Sequence, residues 1–133
     1  MATTQTFAPD LALIETLAQA AVERLPQLFR KHLAHVVLRV EDFADDATLD
    51  EMGIESEFDL LGLYRGLPLG AKSVDHSGAM PNMIHLYRRP MLEYWAETGE
   101  SLEAVVTHVL VHEVGHHFGL SDADMERIER EAV

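Results

Sequence analysis

The 133-residue chain contains no cysteine. Disulfides and thiolate metal ligands are thereby excluded, so any metal site must be built from His, Asp or Glu. Basic residues are scarce: ten Lys and Arg stand against 23 Asp and Glu, a formal charge of −13. Such a charge repels phosphate backbones and anionic bilayers, and it argues against nucleic acid and membranes as partners. No apolar run approaches the ~20 residues needed to span a bilayer. The opening MATTQTFAPD has no basic segment leading into an apolar run, so no signal peptide is expected. Together with the missing cysteine this points to the cytoplasm.

Apolar residues make up 47% of the chain, which rules out a disordered composition. The length fits one domain over 1–133, large enough to bury a core. Residues 10–24 repeat Leu13, Leu17, Ala20 and Ala21 at helical spacing behind Asp10, a suitable N-cap. Pro26 forces a break at Leu25, and 27–33 suits a short second helix. HVVLRVEDF (35–43) alternates, with Val36, Leu38 and Val40 on one face, as a half-buried strand does. The acidic stretch 44–53 reads as a loop with a helical turn. FDLLGLYRG (58–66) is a second strand candidate, in which Gly62 suggests a bulge or a close backbone approach. Residues 66–82, rich in Gly and Pro, read as a long loop, either a binding lid or a plain connection.

MIHLYR (83–88) alternates as a third strand, which Pro90 ends. Helices are expected at 91–97, stopped by Gly99, and at 102–118, capped by Ser101 and closed by Gly119. A last polar helix follows Ser121. This order predicts an α+β domain: a small mixed sheet of about three strands packed with helices, the 102–118 helix near its centre.

One motif carries chemistry. Residues 112–122 read HEVGHHFGLSD, with HExxH at its start. Residues four apart on a helix lie one above the other, so His112 and His116 can reach one ion. Glu113 lies about 100° around the helix from His112 and about 60° from His116, on the same side. There it can take a proton from a water activated at the metal. These residues share an arc with Leu102, Val105, Val106 and Val109, which should face the core or a cleft. A bare HExxH arises in roughly one shuffled chain in twenty at this composition. Adding Gly119 and Asp122 at their spacing lowers that to roughly a few in ten thousand, which makes the extended motif the informative one. Gly119 can turn the chain back so that Asp122 brings a carboxylate to the metal. The competing reading leaves Asp122 in the first turn of the last helix, favoured there by the dipole. His117 should point away from the metal, His108 can serve as a supporting partner, and His76 in the long loop can meet substrate or metal. No serine or cysteine nucleophile motif is evident.

The motif HEVGHHFGLSD matches the HExxHxxGxxD pattern of zincin peptidases with aspartate as third ligand. With LGLYRGLPLG and PNMIHLYRRPML it resembles the small bacterial minimal-zincin family, over about residues 10–131. The resemblance implies a zincin-like fold with HExxH on its central helix, Zn2+ bound by His112, His116 and Asp122, and Glu113 as general base. It also implies that strand 83–88 is the sheet edge lining the cleft, with a peptide or protein substrate added beside it. Metzincins carry a methionine turn beneath the metal; only eleven residues follow Asp122, and Met125 among them falls in a helix, so it is not assigned that role. Tyr64 and Tyr87 are candidates to assist at the oxyanion.

Three functions follow. The first is a zinc metallopeptidase acting on short peptides or exposed loops. The second is a non-peptidase metal hydrolase, disfavoured for nucleic acid by the charge. The third is a non-catalytic zinc or partner-binding domain, in which His76 or His108 would supply a fourth ligand. Nothing in the sequence speaks to oligomeric state.

Overall fold

The computed structural model describes residues 6–66 and 82–132. Among these the chain forms α1 (Leu11–Arg24), α2 (Gln27–Leu33), β1 (Val37–Glu41), α3 (Asp46–Met52), β2 (Gly62–Arg65), β3 (Met83–Tyr87), α4 (Arg88–Thr98), α5 (Leu102–Phe118) and α6 (Asp122–Ala132). A turn of 3-10 helix, Glu57–Asp59, precedes β2. The domain is α+β, with a mixed sheet whose order is β1-β3-β2. β1 and β3 are parallel, Leu38 opposite Ile84; β2 runs antiparallel to β3, Gly62 opposite Leu86.

Local chemistry explains the helix ends. The carboxylates of Asp10 and Asp45 and the hydroxyl of Ser101 accept from the third backbone N–H beyond them, at 2.8, 2.8 and 3.1 Å. The expected loop at 44–53 is therefore a two-turn helix. Its acidic start suits the positive end of the dipole, and Gly53 closes it at a φ of 68°. The helix expected at 91–97 begins earlier, at Arg88, directly from β3. Pro90 occupies its first turn, where a missing N–H costs nothing. Asp42 fixes this start: its carboxylate accepts from Arg88 Nε at 2.7 Å and its carbonyl from the Arg89 amide at 3.1 Å.

The two faces of β3 have separate cores. Ile84 and Leu86 pack with Ile14, Ala18 and Ala21 of α1 and with Val105, Val106, Val109, Leu110 and Val114 of α5. Tyr87 joins Ala44, Leu49, Leu60 and Leu63 on the other face. Burying each Val or Leu side chain contributes about 1.5–3 kcal/mol, so α5, buried along ten of its residues, is the axis of the fold. The placement of 83–88 at the sheet edge is overturned. β3 is central and bonded on both sides, while β2 is the edge nearest α5 among the described residues. No helix among the described residues is long and apolar enough to cross a membrane.

Candidate metal centre

α5 splits its motif between two environments. Glu113 is 4% exposed, whereas His112 and His116 face outward. The arc they share with Val105, Val106 and Val109 is thus buried along its apolar part and opens at the imidazoles. Ligand atoms of His112, Glu113 and His116 all lie within 4.8 Å of one another, and the two imidazole centroids are 4.5 Å apart. Nδ1 of His116 stands 3.2 Å from the Glu113 carboxylate.

Glu113 is under strain of solvation. Burial pushes its carboxyl up to about 7, against the opposing pull of His112 and of a hydrogen bond from the Tyr64 backbone amide. That amide belongs to β2, which comes close because Gly62 has no side chain. A Cβ there would lie 2.7 Å from Val109 Cγ1 and 3.3 Å from Glu113 Cγ. The suggestion of a close backbone approach at Gly62 is realised against α5.

Gly119, at a φ of 67°, ends α5 and reverses the chain, and the Ser121 hydroxyl caps α6 by accepting from the Asp124 amide at 3.2 Å. Asp122 is exposed in the first turn of α6. It lines a cleft of about 220 Å³ together with His112, His108, Met125, Glu126 and Glu129, and stands outside the three-residue cluster. His108 is engaged by Glu129, its Nδ1 at 2.9 and 3.0 Å from the two carboxylate oxygens. His117 is buried behind the site, its Nδ1 2.9 Å from the Tyr64 hydroxyl. That engagement turns the Tyr64 phenol into the interior, and Tyr87 is 2% exposed in the core on the opposite sheet face. His76 and the interior of the 66–82 loop lie outside the described residues.

Two contacts escaped the sequence reading. Met125 of α6 is buried against Gly115, where an added Cβ would collide with its sulfur. It therefore buttresses the metal-facing turn of α5 from a helix rather than from a turn. The Tyr64 amide on Glu113 is the other. A glycine inside HExxH and another inside a strand were the only local signs of such close packing.

Two exposed imidazoles beside a buried carboxylate are a donor set of nitrogen and oxygen, suited to a borderline dication such as zinc. Together with the mixed sheet laid over α5, they define an α+β protein built around a candidate mononuclear metal site on its central helix. A family model described as zincin-like metallopeptidase matches residues 33–132, three-quarters of the chain. The chain belongs to this zincin-like metallopeptidase family. No curated protein matches it.

Proposed function

We propose that the protein is a zinc-dependent peptidase in which His112, His116 and Asp122 hold the metal and Glu113 is the general base. The observation that carries this reading is the placement of Glu113. It is a buried carboxylate, held by a sheet-edge amide, between two outward imidazoles that suit one ion. Asp122 supports it by lining the same cleft as His112 just beyond the Gly119 reversal. Three protein ligands would leave one zinc position open.

Zinc, when bound, supplies a Lewis acid for the scissile carbonyl and makes a water more acidic. The residues of the chain do the rest. Glu113, as carboxylate, takes the proton of the attacking water and delivers it to the leaving amine. Its burial and the Tyr64 amide hold it in place for both transfers. β2 is the edge strand beside Glu113 among the described residues, so an extended peptide substrate would add there rather than beside β3. The scarcity of basic residues fits peptide or protein substrates in place of nucleic acid.

Elemental analysis of the purified chain and of His116→Ala tests the site. About one zinc per chain, lost in the variant, is expected; zinc retained by the variant refutes the assignment. A peptide-library digest with Glu113→Gln as the dead control then tests the reaction. Cleavage of equal rate by Glu113→Gln removes Glu113 as the base.

A further inference from the structure

We propose that the sheet face turned away from α5 carries a second binding site, separate from the metal centre, which takes a short apolar peptide of two or three residues by its two charged termini.

A cavity of about 470 Å³ lies on this face, and neither Glu113 nor the motif histidines line it. Its volume falls within the range of small-molecule sites. The strand register orders its charges. Arg39 of β1 stands opposite His85, and Arg65 of β2 stands opposite Met83, so these side chains leave the sheet on the side away from Ile84 and Leu86. Glu41, two residues beyond Arg39, joins them, and α3 brings Thr48 and Glu51 to Arg65. Two ion pairs result, one on each flank of β3. Arg39 Nε lies 3.7 Å from Glu41, and Arg65 Nη2 lies 3.2 Å from Glu51. Between the pairs the floor is formed by Met83, Tyr87 and the His85 ring.

One member of each pair is fixed from beneath. His85, its side chain 13% exposed, donates from Nδ1 to Oε1 of Glu41 at 2.9 Å. The buried hydroxyl of Thr48 accepts from Arg65 Nη2 at 2.9 Å. These contacts leave Oε2 of Glu41 and the Nε and Nη1 groups of Arg65 open among the described residues. The other two members, Arg39 and Glu51, are the more exposed of their pairs. Exposed pairs contribute little to stability, so the charges of a ligand can replace them. Asp45, also at the cavity, is committed to capping α3.

This arrangement suits a dipolar ligand with a set direction. A simple anion would meet Glu41, Asp45 and Glu51 as like charges, and a simple cation would meet Arg39 and Arg65. A zwitterion finds its opposite at both ends. Its ammonium falls to Glu41, and its carboxylate to Arg65, whose planar fork matches a carboxylate. β1 and β2 flank β3 and stand about 10 Å apart at ordinary strand spacing. An extended chain covers about 3.3–3.6 Å per residue, so two or three residues bridge that gap and a single amino acid does not. Met83 and Tyr87 below favour apolar side chains between the termini. Because Glu41 and Arg65 are already held in place, little ordering is left for the ligand to impose.

The test titrates the whole chain carrying Glu113→Gln, which prevents turnover, with Ala-Leu-Ala, its N-acetyl form and its C-terminal amide. Amide NMR shifts report both the place and the affinity of binding. Shifts are expected on β1, β2 and β3, with affinity falling about tenfold or more when either terminus is blocked. Adding Arg65→Gln is expected to weaken the free peptide about tenfold and to leave the amide within about twofold, because the amide has no carboxylate to lose. Adding Glu41→Gln is expected to do the same with the acetyl form as the indifferent ligand. Both positions are partly exposed, and the same spectra report whether the variants keep the fold. Absence of shifts on the sheet, shifts confined to α5, or equal affinity for free and blocked peptides overturns the site without reference to any variant. A loss in Arg65→Gln that is equal for the free and amidated peptides overturns the assignment of the carboxylate to Arg65. The zinc and Glu113 assignments are untouched by each of these outcomes.

Discussion

The Tyr64 hydroxyl lies 2.9 Å from Nδ1 of His117, and the amide of the same tyrosine donates to Glu113. Glu113 and His117 are four apart and share one face of α5, so a single residue of β2 grips both ends of a helical turn. Tyr64→Phe removes one grip and keeps the ring. It should cost about 1 kcal/mol in urea denaturation and leave zinc content unchanged, because neither Tyr64 nor His117 is proposed as a ligand. Unchanged stability would show that the phenol contributes nothing to docking β2.

Burial of Glu113 makes the metal-free protein sensitive to pH. The carboxyl sits near 7 in the fold against an ordinary value of 4.5. Between these values the folded chain keeps a proton that the unfolded chain releases, so stability falls as pH rises through this window. The stabilisation is full below about 4.5 and gone above about 7, a loss of roughly 3 kcal/mol. Glu113→Gln keeps the shape and removes the charge. Its advantage over the wild type should be near zero at pH 4.5 and reach roughly 2–3 kcal/mol at pH 8, both proteins stripped with chelator and unfolded in urea. A gap that does not change with pH would contradict a burial penalty on Glu113.

Gly62 sets the distance between β2 and α5. With Val109 Cγ1 at 2.7 Å and the His85 carbonyl at 3.2 Å from an added Cβ, alanine cannot enter unless the strand or the helix moves. Gly62→Ala should destabilise the chain by about 1–3 kcal/mol through overpacking. It should also pull the Tyr64 amide from Glu113 and lower peptide hydrolysis more than zinc binding. Thermal melts and zinc stoichiometry separate the two effects, and a fully active, fully stable variant would mean that the close approach relaxes without cost.

Features written in adjacent residues were legible from the sequence. Asp10, Ser101 and Ser121 announce helix starts and Gly99 and Gly119 announce stops, because caps act within three or four residues. The HExxH spacing placed His112 and His116 together for the same reason. α3 was hidden because its acidic composition resembles a loop until the Asp45 cap and Gly53 are seen to close it. The start of α4 at Arg88 depends on Asp42, 46 residues away. Strand order was not legible either. The edge placement of 83–88 comes from the resemblance, and alternation, which names the faces of a strand and says nothing about its neighbours, carries no signal to correct it. The Tyr64–Glu113 and Met125–Gly115 contacts join distant segments, and periodicity carries no trace of them.

Asp122 is where the two readings of the motif part. As a first-turn residue of α6 its charge would contribute only about 0.3–1 kcal/mol through the helix dipole. As a ligand its carboxylate must reach an ion shared with His112, with which it already lines one cleft. Asp122→Asn preserves size and abolishes the charge. The ligand reading expects zinc affinity to drop by more than about a hundredfold, beyond the 10–100-fold typical of residues that only support a ligand. The capping reading expects affinity to hold while the melting temperature slips slightly. Competition against a zinc-sensitive dye, run beside His116→Ala as the fully disrupted reference, measures the first quantity directly. Affinity equal to wild type would confine Asp122 to the helix end and leave the third ligand to be sought elsewhere in the chain.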